Sequence, residues 1–310
     1  MRITGLGSYL PKDLVDNESL TPLDPPMSVA EMDRLGVRTR GIASDDEGVA
    51  EMAVVAAKRA LERAGTAAES LDFVILANWS ERRFVPDFAP RIQARLGARR
   101  AFAFDVGCAC SGFVYGLSIA HGFLGNERIR RGLVVASDRS TRRIRPRSRG
   151  TLLFGDGAAA ALVERGARTG IRMVDYELST DGSRNGLADV AEDGYLRSHI
   201  KQRELNELAV TSLIEVGQRL LARRHLELGD VDFVVPHSGT AGIQAMLAKR
   251  LKTDASKILT NLPEVGNLTT ASIPSALDQF LHAGVLTPGH RVLSLAVGLG
   301  WHAVALLLEL

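Results

Sequence analysis

Short apolar runs and longer stretches with helical spacing alternate along the 310 residues. Residues 3–7 read as a first strand, and a polar, proline-containing stretch follows through Pro26. Residues 27–46 are charged and punctuated by glycine, which predicts surface helices or loops rather than a long strand. Residues 48–65 form an alanine-rich helix carrying Ala50, Met52, Ala53, Val54, Ala57 and Leu61, and the apolar run at 73–77 is a strand. Next come a helix at 86–96, a short buried strand at 101–105, a helix at 110–124 apolar around most of its circumference, and a strand at 132–137. The alternation is that of an α/β architecture.

The second half repeats the organisation. A strand at 171–178 and a loop around 181–193 lead to a long helix at 203–224, with Leu205, Leu208, Val210, Leu213, Val216 and Leu220 facing inward. A strand at 231–235 runs into Pro236-His237, helices follow at 242–251 and 273–283, and strands at 291–297 and 302–309 end the pattern. A division near 166–170 gives two halves, 1–168 and 169–310. A chain of this length holds two domains or one large layered α/β unit.

Charge narrows the function classes. With 38 Lys and Arg against 36 Asp and Glu, the net charge of +2 carries no nucleic-acid footprint. Arginine is unevenly placed, however, with six between Arg139 and Arg149. Two readings stand: a solvated loop, or a groove for phosphate or another acidic partner. No apolar signal region opens the chain and no apolar run reaches membrane-spanning length, so a cytoplasmic protein without membrane insertion is expected. Two cysteines fit a reducing compartment, where a free thiol persists.

The chemistry centres on Cys110, in Phe104-Asp105-Val106-Gly107-Cys108-Ala109-Cys110-Ser111-Gly112-Phe113. A strand-to-helix junction places backbone donors near the thiol, and a helix N-terminus there is expected to acidify it. Cys108 reads as a small packing residue, because no histidine or second cysteine pair completes a metal set. Gly155-Asp156-Gly157 lacks nucleotide-binding spacing and reads as tightly packed backbone. His237 follows an apolar strand, and Asn267 lies in Gly266-Asn267-Leu268-Thr269-Thr270-Ala271-Ser272-Ile273-Pro274. Taken singly, each is as well explained as a structural histidine and a turn or cap residue.

Together these segments, with Phe154-Gly155-Asp156-Gly157-Ala158 and the terminal Ala296-Val297-Gly298-Leu299-Gly300-Trp301, resemble the ketoacyl-acyl-carrier-protein synthase III branch of the thiolase-like superfamily over almost the whole chain. The resemblance implies a duplicated five-layer αβαβα fold, a homodimer, and an active site where the halves meet. It assigns Cys110 as nucleophile and His237 and Asn267 as its catalytic partners. Backbone amides of Cys110 and of Gly298 or Gly300 become oxyanion-hole candidates, and Arg34 and Arg149 become contacts for CoA or the carrier. No metal or tightly bound cofactor is implied; acyl-CoA or acyl-carrier thioesters load Cys110, and malonyl carried by acyl carrier protein, or a related malonyl thioester, is the condensing partner, in fatty-acid or polyketide biosynthesis.

This chain departs from the family pattern in three places. Ala30 stands where the adenine patch commonly has an aromatic residue, Thr240 and Gly242 replace an asparagine and an arginine after His237, and Leu299-Gly300-Trp301 compresses a longer glycine turn. The departures point to a specialised member. The alternative chemistry is transfer of the acyl group to an alcohol or amine without decarboxylation.

Overall fold

In the computed structural model, which describes residues 1–310 apart from Arg82 and Phe84, the apolar runs become strands and the alanine- and leucine-rich stretches become helices. The first half contains β1 (Arg2–Tyr9), β2 (Leu14–Asp16), α1 (Val29–Leu35), β3 (Thr39–Gly41), α2 (Val49–Arg63), β4 (Phe73–Ala77), α3 (Ala89–Leu96), β5 (Phe102–Val106), α4 (Gly112–Leu124), β6 (Arg131–Asp138) and β7 (Gly157–Glu164). The second contains β8 (Ile171–Thr180), β9 (Ala188–Val190), β10 (Leu196–Ser198), α5 (Gln202–Arg223), β11 (Phe233–Pro236), α6 (Ala241–Leu251), α7 (Leu262–Val265), α8 (Ser272–His282), β12 (Arg291–Gly298) and β13 (His302–Glu309).

Strand pairing shows the duplication directly. The order β11-β12-β13-β8-β1-β7-β6-β4-β5 runs through nine strands, and only two residue pairs, Arg2 with Arg172 and Ile3 with Ile171, join β1 to β8. On one side β1–β7 and β7–β6 are antiparallel and β6–β4 and β4–β5 are parallel. On the other, β8–β13 and β13–β12 are antiparallel and β12–β11 is parallel, and an isolated parallel bridge from Val234 to Ile258 occupies the place of β5. Sense and order match strand for strand.

Each strand alternates its side chains between two apolar layers. Val74, Leu76, Leu133 and Val135 pack outward under α2 and α3, whereas Phe73, Ile75, Val134 and Ala136 face a central core shared with α4 and α8. In the second half Leu293, Leu295, Ala305 and Leu307 face outward to α5 and α6, and Val292, Ala296, Val304 and Leu306 face the same central core. The result is the five-layer αβαβα arrangement, with α4 and α8 in the middle.

Four local expectations are corrected. The strand at 101–105 is β5, and it lies at the sheet edge with Phe102 42% exposed, so apolar composition there does not signal burial. The stretch at 27–46 holds the largely exposed helix α1 as expected, but also the short strand β3, in which Arg40 is fully buried. The expected loop at 181–193 contains a 3-10 turn and leads into the β9–β10 hairpin. The arginine-rich segment is not uniformly solvated: Arg139 is buried against the Ser44 carbonyl and Glu81, while Arg142 is exposed and pairs with Asp45.

Candidate active site

Cys110, His237 and Asn267 approach one another because the duplicated fold brings three chain turns together, the first two following β5 and β11 and the third following α7. Cys110 lies after β5 in the 3-10 turn Ala109–Ser111 that feeds α4. Asn267 occupies the corresponding stretch of the second half, just before the turn Thr269–Ala271 that feeds α8. His237 leaves β11, where its N–H donates to the Leu295 carbonyl at 2.7 Å. All three line one cavity of about 530 Å³, walled on its apolar side by Leu205, Leu213, Ile243 and Trp301.

The thiol is presented on a strained backbone. Cys108 and Ala109 hold positive φ values of 75° and 45°, a conformation that residues with a Cβ seldom adopt. Gly298 presses on this elbow: a Cβ added to it would lie 2.4 Å from the Cys108 carbonyl oxygen and 3.2 Å from the Cys110 nitrogen. Ser111 completes the clamp by donating its hydroxyl to the His302 carbonyl at 2.6 Å. Gly298 therefore lies against the Cys110 amide, whereas Gly300 turns toward His302 and Asn185 and does not line the cavity.

Electrostatics reverse the expectation of an acidified thiol. Cys110 keeps an accessible surface toward the cavity, but dense protein around its other sides pushes the thiol up to about 12, with the Asp138 charge adding to the shift. Its own backbone N–H opposes the rise without overcoming it. Burial pushes His237 down to about 4 against the opposing influence of the Thr269 backbone, so at neutral pH the ring is an uncharged donor and acceptor. Its Nδ1 is buried with no hydrogen-bond partner among the described residues.

Asn267 is 4% exposed and its amide orientation is fixed. Thr269 N–H donates to Oδ1 at 2.9 Å, which leaves Nδ2 as the donating side, with the Gly239 carbonyl at a long 3.4 Å. The backbone is held by Phe154-Gly155: Asn267 N–H donates to Leu153 at 2.8 Å and Gly155 N–H to Asn267 at 3.2 Å. Gly155 is required by this contact, since a Cβ would stand 2.3 Å from the Val265 carbonyl. Asp156 beside it accepts from Ala43, from Thr141 N–H and from the Thr141 hydroxyl, as a structural anchor does.

The chain matches the model for 3-oxoacyl-[acyl-carrier-protein] synthase III over residues 104–182 and the C-terminal model of the same enzyme over 221–310. It is 36% identical to the β-ketoacyl-[acyl-carrier-protein] synthase III of Sodalis glossinidius across 97% of this chain and 96% of that one. The chain belongs to the 3-oxoacyl-[acyl-carrier-protein] synthase III family. Its fold superposes on the synthase III of Aquifex aeolicus with a TM-score of 0.92 at 33% identity, covering 100% of this chain and 99% of that one. The priming β-ketosynthase of the R1128 polyketide pathway is similar at a TM-score of 0.91 and 29% identity, covering 100% and 96%.

As a member of the synthase III family, the chain replaces what its departures remove. Thr240 caps α6 by accepting from Ile243 N–H at 3.2 Å. Gln244, one turn further on, sends Nε2 back to the Ser238 carbonyl at 2.7 Å and the Thr260 hydroxyl at 2.9 Å, bracing the loop beside His237. The shortened terminal turn seats Trp301, whose Nε1 donates to Ser212 on α5 at 3.0 Å. Sequence reading passed over Gln244; its only signal was a long amide one helical turn after the missing one.

Arg34 and Arg149 are exposed and do not line the cavity. Both lie near Glu31, whose carboxyl is held below its usual range chiefly by Ser28 and further by the two guanidinium groups. Ser148 and Gly150, which flank Arg149, reach the cavity wall. Arg145 and Arg197 also line the cavity and share Asp193, Arg145 at 2.8 Å.

Gly298→Ala tests the elbow. The methyl meets backbone rather than a flexible side chain, so acyl loading of Cys110 is expected to fall by about 100-fold, the scale of a lost oxyanion donor. Loading is read by intact mass, and circular dichroism checks that the fold is kept.

Proposed function

We propose that this synthase III family member loads an acyl group from an acyl-CoA or acyl-carrier thioester onto Cys110 and condenses it with a malonyl thioester carried by acyl carrier protein. The observation that carries the reading is the convergence of one buried thiol and two neutral donors, His237 and Asn267, on a single apolar-walled cavity. Family membership supplies the reaction class, an acyltransferase-type condensation.

In the first step the Cys110 sulfur bonds to the acyl carbon and the donor thiolate departs, taking up the proton the thiol loses. The Cys110 amide, with Gly298 against it, supplies the oxyanion site. In the second step malonyl loses carbon dioxide, and the remaining carbon attacks the acyl group on Cys110 and expels its thiolate. Nδ2 of Asn267 and an N–H on Nε2 of His237 donate to the thioester oxygen as it gains charge. Neutral donors suit this step, because a cation would also hold the malonyl carboxylate in its ground state. The expelled thiolate is strongly basic in its buried setting and takes a proton at once.

Arg34, Arg149 and Arg145 supply positive charge for the phosphates of CoA or of the carrier's pantetheine arm. Ala30 offers no aromatic face for adenine, which favours a carrier-held primer or CoA bound mainly through its phosphates. We further propose a homodimer joined through β5. That strand has an open edge, with Phe102 and Phe104 stacked at 6.4 Å and Phe123 edge-on to both at 5.2 and 6.0 Å. An exposed aromatic edge strand invites pairing with a second copy. F102E/F104E is expected to run as a monomer by light scattering where the unaltered protein runs as a dimer; a monomeric unaltered protein contradicts the interface.

The function is tested by intact mass spectrometry after exposure to a panel of acyl-CoAs and acyl carriers, followed by malonyl-acyl carrier protein. An adduct on Cys110 that disappears as β-ketoacyl carrier forms supports the reading, and a protein that acquires no adduct from any donor contradicts it.

A further inference from the structure

Asp138 ends β6 with no exposed surface, and among the described residues no cation pairs with it. A buried carboxylate without a cation persists only where hydrogen bonds replace its hydration. Five donors do so. Trp79 and Ser80 N–H reach Oδ1 at 3.0 and 3.1 Å, just past the end of β4. The Thr269 hydroxyl at 2.7 Å, Thr270 N–H at 3.3 Å and the Thr270 hydroxyl converge on Oδ2 from the other half of the chain.

The receiving turn needs such a hold. Thr269 has φ +52°, an outlier for a β-branched residue, and its hydroxyl also meets Ser140 at 3.1 Å. The N–H of this same residue donates to Asn267 Oδ1 and thereby sets which end of the Asn267 amide faces as donor. The bonds run without a gap from Asp138 through Thr269 to Asn267. By contrast, no hydrogen bond joins Asp138 to the Cys110 side chain among the described residues, and its charge disfavours the thiolate.

We propose that Asp138 is a positioning residue for condensation: its buried carboxylate fixes the strained Thr269–Thr270 turn so that Asn267 presents its amide to the malonyl thioester. This role rests on the condensation reading above. It separates the two half-reactions, because loading depends on the Cys110 elbow and condensation on the Asn267 turn.

Asp138→Asn retains the size but gives up the charge and part of the accepting capacity. Loading, timed by quenched intact mass with acyl-CoA, is expected to stay within about threefold of the unaltered protein, while condensation of preloaded enzyme with malonyl-acyl carrier protein falls by about 100-fold through kcat. Thr270→Val removes a single donor to Asp138 and is expected to lower condensation by about tenfold with loading retained. Thermal melts accompany both variants. Should D138N not fold, T270V decides: selective loss of condensation supports the role, and loss of both half-reactions together or of neither overturns it. An unaltered protein that loads but releases no carbon dioxide overturns the function itself and this role with it. A condensing unaltered protein beside a folded D138N that loads and condenses normally overturns the inference alone.

Discussion

Cys110→Ala is expected to abolish acyl-enzyme formation and to reduce overall turnover by about 10⁵-fold or more, the scale seen when a covalent nucleophile is removed. The variant should fold, since the thiol is replaced by a smaller group facing a cavity that already holds space. Intact mass after acyl-CoA treatment reads the result, and persistence of an adduct in the variant would move the nucleophile elsewhere. The resting thiol gives this prediction a pH signature. With Cys110 pushed up to about 12, only a small thiolate fraction exists at neutral pH. The sign follows: alkylation of the unaltered protein by iodoacetamide should rise by about tenfold per pH unit between roughly 7 and 10, without the plateau near neutrality that an acidified thiol shows.

His237→Ala and Asn267→Ala form the second large effect. Each is expected to lower condensation by about 10²–10³-fold while acyl loading remains measurable, because their donors act on charge that develops in the second transition state. The double variant should lose less than the product of the two, since both donors serve one oxygen. The His237 ring, held down to about 4, is neutral across the working range, so condensation should be flat from about pH 6 to 8 on account of this group and change only as pH falls toward 4. Rapid-quench measurement of loading and condensation separates the steps. Equal loss of loading in both variants would contradict the division of roles.

Much of this site was legible because its chemistry sits in short local segments. Cys110 and His237 each follow a strand and Asn267 lies in a turn after α7, positions that the strand and helix pattern already puts at chain turns. What sequence could not convey was the set of surroundings. A helix start after Cys110 suggested an acidic thiol, yet burial and the Asp138 charge come from residues that only folding assembles, and they win. Asp138 carries no pattern of its own, being one aspartate after an apolar run, and its threonine partners lie 131 and 132 residues away. Likewise Phe102-Ala103-Phe104 has the composition of a buried strand, and only strand order reveals that it is an edge. The β9–β10 hairpin escaped notice because its strands are three residues each and polar on the exposed side.

The compressed terminal turn illustrates the opposite case, a visible departure whose consequence needed coordinates. Gly298 in the shortened glycine segment lies against the Cys110 amide and Trp301 is seated on Ser212, so one short turn both braces the elbow and contributes a tryptophan to the cavity wall. Similarly, losing the amide after His237 is answered by Gln244 from the next turn of α6.

The central claim is decarboxylative carbon–carbon bond formation at Cys110. Enzyme preloaded with acyl group is mixed with malonyl-acyl carrier protein labelled in its free carboxylate, in the presence of a small alcohol and amine. Release of one labelled carbon dioxide for each Cys110 adduct consumed, with a β-ketoacyl carrier two carbons longer than the primer, is the predicted result. Loss of the adduct to the alcohol or amine, with the label retained in malonyl, would contradict it.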